Sequence, residues 1–315
     1  MHEENGSKHF QMSKTPTLHQ ILEICPKKIN NNTRLSPTAI SCYCECQRKF
    51  FYIYIKEIKE KPTPDKVRGK IVHKVLENFF TFVDLIKIKE EKWQDLWKKF
   101  RSILLSLLES EWKQIGCAYE NCFENDKQKT DYFDETLEFL DFYAIKLAFS
   151  LMNKMRELDK NSKWFEYNIK RFFYPKDRET KLELKDDGIV GFIDKTMSLF
   201  GDGIAIVDYK TSKCVLPHFI PNTHLIQGKA YAYLWKRVFN KLPKHISFYY
   251  LRTGETIYYK ISDNDISEIE NIITEIRNKN LDVSEFQKSK TKLCEFCEFK
   301  LFCFKDAESQ SEQIT

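Results

Sequence analysis

The chain has 315 residues, with 51 Lys and Arg against 46 Asp and Glu and a formal net charge of +5. Its 42% hydrophobic and 31% charged residues are the balance of an ordinary globular protein, long enough to bury a sizeable core in one large domain or two small ones. The mild basic excess permits a polyanionic partner without establishing one. No uncharged apolar run approaches the ~20 residues that span a bilayer, so no membrane partner is expected. No N-terminal stretch has the basic start, apolar core and cleavage site of a secretory signal. The expectation is a cytoplasmic protein in which the clustered ones among ten cysteines bind metal rather than pair as disulfides.

Residues 1–33 are polar and broken by Pro16, Pro26 and Asn30-Asn31-Asn32, and they read as a flexible tail with one short helix near 18–24. Ser36-Pro37 predicts a helix start, with Ser36 as cap and Pro37 in the first turn. That helix runs through Ile40 into the aromatic-basic stretch 48–54, where Phe50, Phe51 and Ile53 pack in the core and Arg48 and Lys49 stay solvated. A strand-binding surface built from the same residues is the alternative. Pro62 and Pro64 interrupt. A second helix is expected from about Gly69, with Ile71, Val72, Val75, Leu76, Phe79 and Phe80 at helical spacing. Residues 90–158 read as helical, with a polar break at 116–129, and 80–163 is taken as a helical lobe inserted into the domain. Strands are predicted at 164–174, 189–199, 204–209, 245–251 and 256–261, and helices at 224–239 and 263–279. A cysteine-rich segment and a flexible tail, 305–315, close the chain. Helices flanking a mixed sheet make 34–304 an α/β domain.

The sharpest signal is Ile204-Ala205-Ile206-Val207-Asp208-Tyr209-Lys210-Thr211. Residues two apart on a strand share a face, so Asp208 and Lys210 join Ile204 and Ile206. An anion placed there needs a cation or a metal. Upstream, Val190-Gly191-Phe192-Ile193-Asp194 repeats the pattern, and the turn Phe200-Gly201-Asp202-Gly203 sets Asp194 opposite or diagonal to Asp208 on one face. His73, with Lys70, Lys74 and Glu77 around it on the polar side of its helix, is the candidate third ligand. Carboxylates with an imidazole suit Mn²⁺ at least as well as Mg²⁺, and Lys210 would stabilise transition-state charge or hold the attacking water. Taken singly, an Asp-x-Lys is ordinarily a surface ion pair and Glu77 a solvated partner of Lys74. The order of the four residues along one helix and one strand pair favours the metal.

Near the C-terminus, Cys294, Cys297 and Cys303 supply three thiolates, and the fourth comes from Cys42, Cys44 or Cys46. Thiolate ligation suits zinc or an iron–sulfur cluster. Cys25, Cys117, Cys122 and Cys214 have no partners at ligand spacing and read as ordinary thiols.

Gly69-Lys70-Ile71-Val72-His73 with Leu76-Glu77, Gly191-Phe192-Ile193-Asp194, Asp208-Tyr209-Lys210 and Gln227-Gly228-Lys229-Ala230-Tyr231 together resemble the PD-(D/E)XK nuclease superfamily, in its RecB-like branch. The resemblance implies a restriction-endonuclease-like core, metal binding by His73, Asp194 and Asp208, catalysis by Lys210 and support from Glu77. It also implies that Gln227 and Tyr231, four apart on one helix face, hold the nucleic acid strand. Lys195 stands where this branch often has arginine, and Ile193 where it has proline. The cysteine pattern is similar to that of the AddB nuclease domain and of CRISPR-associated four-cysteine exonucleases. This implies a 4Fe–4S cluster on Cys46, Cys294, Cys297 and Cys303 that pins the two ends of the domain together, with Gln47 in place of the usual proline. The expected activity is metal-dependent hydrolysis of DNA at single-stranded ends, in repair, recombination or CRISPR adaptation, with protein partners from such a complex. The alternative is a non-catalytic nucleic-acid-binding module with a structural Cys₄ metal site.

Overall fold

A computed structural model describes residues 29, 33–88, 92–116, 118–199, 201–212 and 219–304. The helix expected near 18–24, Cys25, Cys117, Cys214, the tail 305–315 and all of the tail 1–33 but residues 29 and 33 lie outside the described residues. Ile29, expected in a flexible tail, is buried, its amide donating to the Lys279 carbonyl at 3.3 Å. Helix α1 (Pro37–Glu45) starts where Ser36-Pro37 predicts, with the Ser36 hydroxyl accepting from the Ala39 amide at 3.1 Å. Cys46 is extended and divides α1 from α2 (Gln47–Phe50), which continues as a π-helical turn over Phe51–Ile55. The expected single helix is therefore split, and the split has a tertiary cause. The Arg48 amide donates to the Gln287 carbonyl and its guanidinium Nε to Phe286 O at 3.0 Å. Arg48 is thereby buried, against the expectation of a solvated charge, while Phe50 and Phe51 are core residues as expected.

Helix α3 (Pro64–Phe82) begins at Pro64 rather than near Gly69, because Thr63 caps it and Pro64 supplies the fixed φ of a first turn. Its buried stripe, Val67 through Phe80, receives the long helices α4 (Trp93–Glu111) and α5 (Asp126–Glu157). A π-helical turn and the break before Asp126 stand where the polar interruption was read. Residues 164–174, expected as a strand, instead contain helix α6 (Phe165–Phe173). Aromatic content favours strands, but Phe165, Ile169, Phe172 and Phe173 recur at helical spacing, and that period decides.

The sheet has five strands in sequential order: β1 (Asp177–Leu184), β2 (Ile189–Ser198), β3 (Ile204–Lys210), β4 (His245–Tyr250) and β5 (Glu255–Lys260). β1 escaped prediction because, as an edge strand of alternating charge, it buries only Leu182. β3 and β4 are parallel and the other pairings antiparallel. The parallel pair requires a crossover, which helix α7 (Asn222–Phe239) provides. Helix α8 (Asp263–Asn278) follows β5. One core joins α1, α7, α8 and a sheet face carrying Ile206, Ile246 and Phe248; the other joins α3, α4 and α5 to Val207 and Tyr209. The result is an α/β layer structure with helices on both faces. Among the described residues no helix is long and apolar enough to cross a membrane.

Candidate active site

The hairpin β1–β2 pairs Arg178 with Lys195 and Thr180 with Ile193, which sets Glu179 across from Asp194. β2–β3 pairs Lys195 with Val207, so the next position sets Asp194 across from Asp208. Three carboxylates therefore stand in one row over three neighbouring strands, and of the two arrangements read from the sequence, opposite or diagonal, Asp194 and Asp208 adopt the opposite one. Like charges side by side on a sheet repel. Glu179 has a φ of 43°, a left-handed conformation that costs a non-glycine residue of order 1–3 kcal/mol and persists where the surroundings hold it.

Helix α3 brings His73 to this row. His73 Nδ1 lies 2.9 Å from Asp194 Oδ1, and the Tyr209 amide donates to Asp194 Oδ2 at 2.8 Å. His73, Glu179 and Asp194 each offer a ligand atom within 4.8 Å of the others. Asp208 stands beside that group, buried, with the Lys210 ammonium 2.6 Å from its Oδ2. Apart from that ion pair, Oδ2 has no hydrogen-bond partner among the described residues. A buried oxygen without a hydrogen bond, in a row of like charges, fits a hard divalent cation, and the imidazole admits Mn²⁺.

The electrostatics follow this crowding. Burial opposes the His73 imidazolium, yet Asp194, by charge and hydrogen bond, carries its pKa up to about 9. Burial and the neighbouring Asp194 push Glu179 up to about 7. Burial also raises Asp208, with Lys210 opposing. His224, missed in the sequence, lines the site against Tyr250, 3.1 Å from its hydroxyl. Burial, with Lys210 adding, lowers its pKa to about 4.

Helix α7 lies so close to β4 that a Cβ on Gly228 would meet the Phe248 ring at 2.7 Å. That approach brings Gln227 and Tyr231 to the site. The Lys210 ammonium donates to Gln227 Oε1 at 2.7 Å, and Gln227 Nε2 donates to Tyr231 OH and to Thr38 Oγ1. His73, Asp194, Asp208, Lys210, Gln227 and Tyr231 thus border one cavity of about 290 Å³. Glu77 lies outside the ligand group, its carboxylate paired with Lys74 at 2.7 Å. It shares with His73 and Glu179 an adjoining cleft of about 1350 Å³ that also carries Lys59, Lys61, Lys66, Lys70 and Lys74.

Away from this site, Cys46, Cys294 and Cys297 line a cavity of about 300 Å³. Burial raises the Cys303 thiol, opposed by nearby Arg48 and Lys288 and reinforced by Cys46. Cys42, Cys44 and Cys303 do not line that cavity.

The family model of the PD-(D/E)XK nuclease superfamily matches residues 34–304. No curated protein matches the chain. The matched span contains the whole five-stranded sheet and its flanking helices, the carboxylate row, His73 and Lys210. This chain belongs to the PD-(D/E)XK nuclease superfamily.

Proposed function

We propose that the protein is a metal-dependent DNA nuclease of the RecB-like branch, working as an exonuclease on single-stranded ends. The observation that carries this is the row Glu179–Asp194–Asp208 facing His73, with Lys210 at its end. His73, Asp194 and Asp208 hold Mg²⁺ or Mn²⁺, and Glu179 completes the acidic wall. The ion supplies polarisation of the phosphoryl oxygen and a water activated near neutral pH. The chain supplies the rest. Asp194 is fixed by the Tyr209 amide, so one carboxylate is aimed before any ligand arrives. Lys210, oriented between Asp208 and Gln227, offers its ammonium to the attacking water or to charge building on the phosphate. Gln227 and Tyr231 form the wall against which the strand lies. The lysine-lined cleft leads the polyanion in, and Lys70 held over Tyr119 at 4.7 Å offers an aromatic–cation step for a base.

A 4Fe–4S cluster on Cys46, Cys294, Cys297 and Cys303 fits the second site. The buried Arg48 beside them offsets thiolate charge. Repair, recombination or CRISPR adaptation is the setting such an enzyme serves.

The test is cleavage of labelled single-stranded DNA with Mn²⁺, with and without chelator. Asp208→Ala and Lys210→Ala are expected to lose about 10²-fold or more in rate, the scale for one transition-state stabiliser. Cleavage by either variant at the wild-type rate overturns the assignment, and binding without cleavage in every metal leaves a nucleic-acid-binding module.

A further inference from the structure

At the other end of the β2–β3 pair, four residues or about 13 Å along the strands from Asp194 and Asp208, Ser198 and Ile204 border a separate cavity of about 890 Å³. Its walls come from α6, the start of β1 and the end of α7. They carry four cations, Lys170, Arg171, Lys176 and Lys241, against two carboxylates, Asp177 and Asp202, and Lys170 is paired with Glu166 just outside the lining, which leaves a surplus of one positive charge. Asp177 accepts from the Thr196 hydroxyl at 3.2 Å and keeps its charge, and Lys241 pairs loosely with Asp202 at 3.6 Å. Interleaved with the cations are aromatic rings. Tyr167 and Phe239 are about half exposed at the cavity, and Phe239 packs on Trp235 with ring centroids 4.3 Å apart. The Trp235 indole N–H is buried at this wall without an acceptor among the described residues, a cost of about 1–3 kcal/mol for a donor left unmade.

Surplus positive charge and exposed ring faces in one concave site select a ligand that is both anionic and flat. A nucleotide unit has both properties: the phosphate meets the cations and the base stacks on a ring. A site for metabolites lacking a base would not need the aromatics, and a site for apolar ligands would not carry four cations. We propose that this cavity is a second binding site for a single-stranded nucleic acid, holding a nucleotide unit of the strand between Tyr167, Phe239 and the cations Lys176 and Lys241. It does not depend on the catalytic reading, because it uses none of those residues.

The experiment is fluorescence anisotropy of labelled oligothymidylate on the full chain in EDTA, so that nothing is cut. Tyr167→Ala is expected to weaken binding about tenfold, within the range for losing one stacked base. The double variant Lys176→Gln/Lys241→Gln should lower the magnitude of the log–log salt slope by about 1.4, since each lost phosphate contact on a single strand removes about 0.7. Thermal melting reports whether each variant is folded, and Lys241→Gln, on an exposed segment, reads the salt slope alone if Tyr167→Ala melts early. Wild-type affinity and wild-type salt slope in the folded variants overturn the proposal. A parallel arm uses thymidine monophosphate. Binding of the free nucleotide that depends on Tyr167, with oligothymidylate binding indifferent to it, makes the cavity a mononucleotide site and also overturns the strand assignment.

Discussion

At the scale of single residues, Glu179 shows what a sheet register adds to a motif. Its carboxylate reaches His73 and Asp194 because β1 pairs it across from Asp194, and its left-handed φ turns it out of the regular pleat. A strained residue beside two other acids is what a cation site maintains and a plain edge strand does not. Glu179→Gln keeps the size and removes the charge. It is expected to raise the Mn²⁺ concentration for half-maximal cleavage about tenfold or more, read by metal titration of the cleavage rate, whereas an unchanged titration would place Glu179 outside the ion's surroundings. Lys195, next to Asp194, sits between the Phe80 and Tyr209 rings, 5.7 and 5.3 Å from their centroids, and burial lowers its pKa to about 8. Lys195 is thus held by cation–π contacts.

At the scale of elements, two charge networks lock helices in place. Glu135 of α5 bridges two arginines, Arg68 of α3 and Arg252 after β4, and Arg252 Nε donates to the Thr211 carbonyl at 2.9 Å, one residue beyond Lys210. Arg68 is 2% exposed and stacks on Tyr132. Removing its partner with Glu135→Ala is expected to cost about 2 kcal/mol in urea unfolding, below the fully buried range because Glu135 is itself partly exposed and Asp65 remains. On the other face, Lys229 of α7 pairs with Asp265 at 2.9 Å and Glu268 at 2.6 Å of α8. Burial would raise Asp265, but donors from Ser262, Lys229 and Tyr259 hold it down at about 2, from an ordinary 3.8. A depressed carboxylate stabilises the fold above its unfolded pKa and loses that contribution as the pH falls through the folded one. The stability advantage of the wild type over Asp265→Asn, measured by denaturant melts, should therefore shrink by about 2 kcal/mol between pH 4 and pH 2. An advantage that stays constant over that window would contradict the linkage.

At the scale of the whole molecule, the chain closes on itself. The segment after α8 returns to α2, where Phe286 packs against Phe51 with centroids 4.9 Å apart and Tyr52 stacks on Phe299 at 5.4 Å. Arg48 and Gln47 add hydrogen bonds to Phe286 and Gln287. The four cysteines of the proposed cluster lie along this seam, so the cluster fastens two ends that already pack together. Anaerobically purified protein should be brown and carry about four irons. Cys46→Ser should lose the colour and lower the melting temperature, and one equivalent of zinc without iron would replace the cluster with a zinc site.

Local chemistry in the sequence was enough for β2, β3 and α7, and for expecting His73, Asp194, Asp208 and Lys210 at one cavity, which they border, because parity on a strand and spacing on a helix decide which side chains share a face. The cap at Ser36 is legible in the sequence, and the Thr63-Pro64 pair carries the same kind of signal. β1 was not read, although Asp187-Gly188 before Ile189 is a hairpin signal; with it, Glu179 would have followed by counting back from the turn. What no local pattern contains is the burial of Arg48, the split at Cys46 and the meeting of Glu135 with two arginines. Those depend on segments far apart in the chain whose hydrogen bonds and charges are satisfied only by each other, so only the folded arrangement decides them.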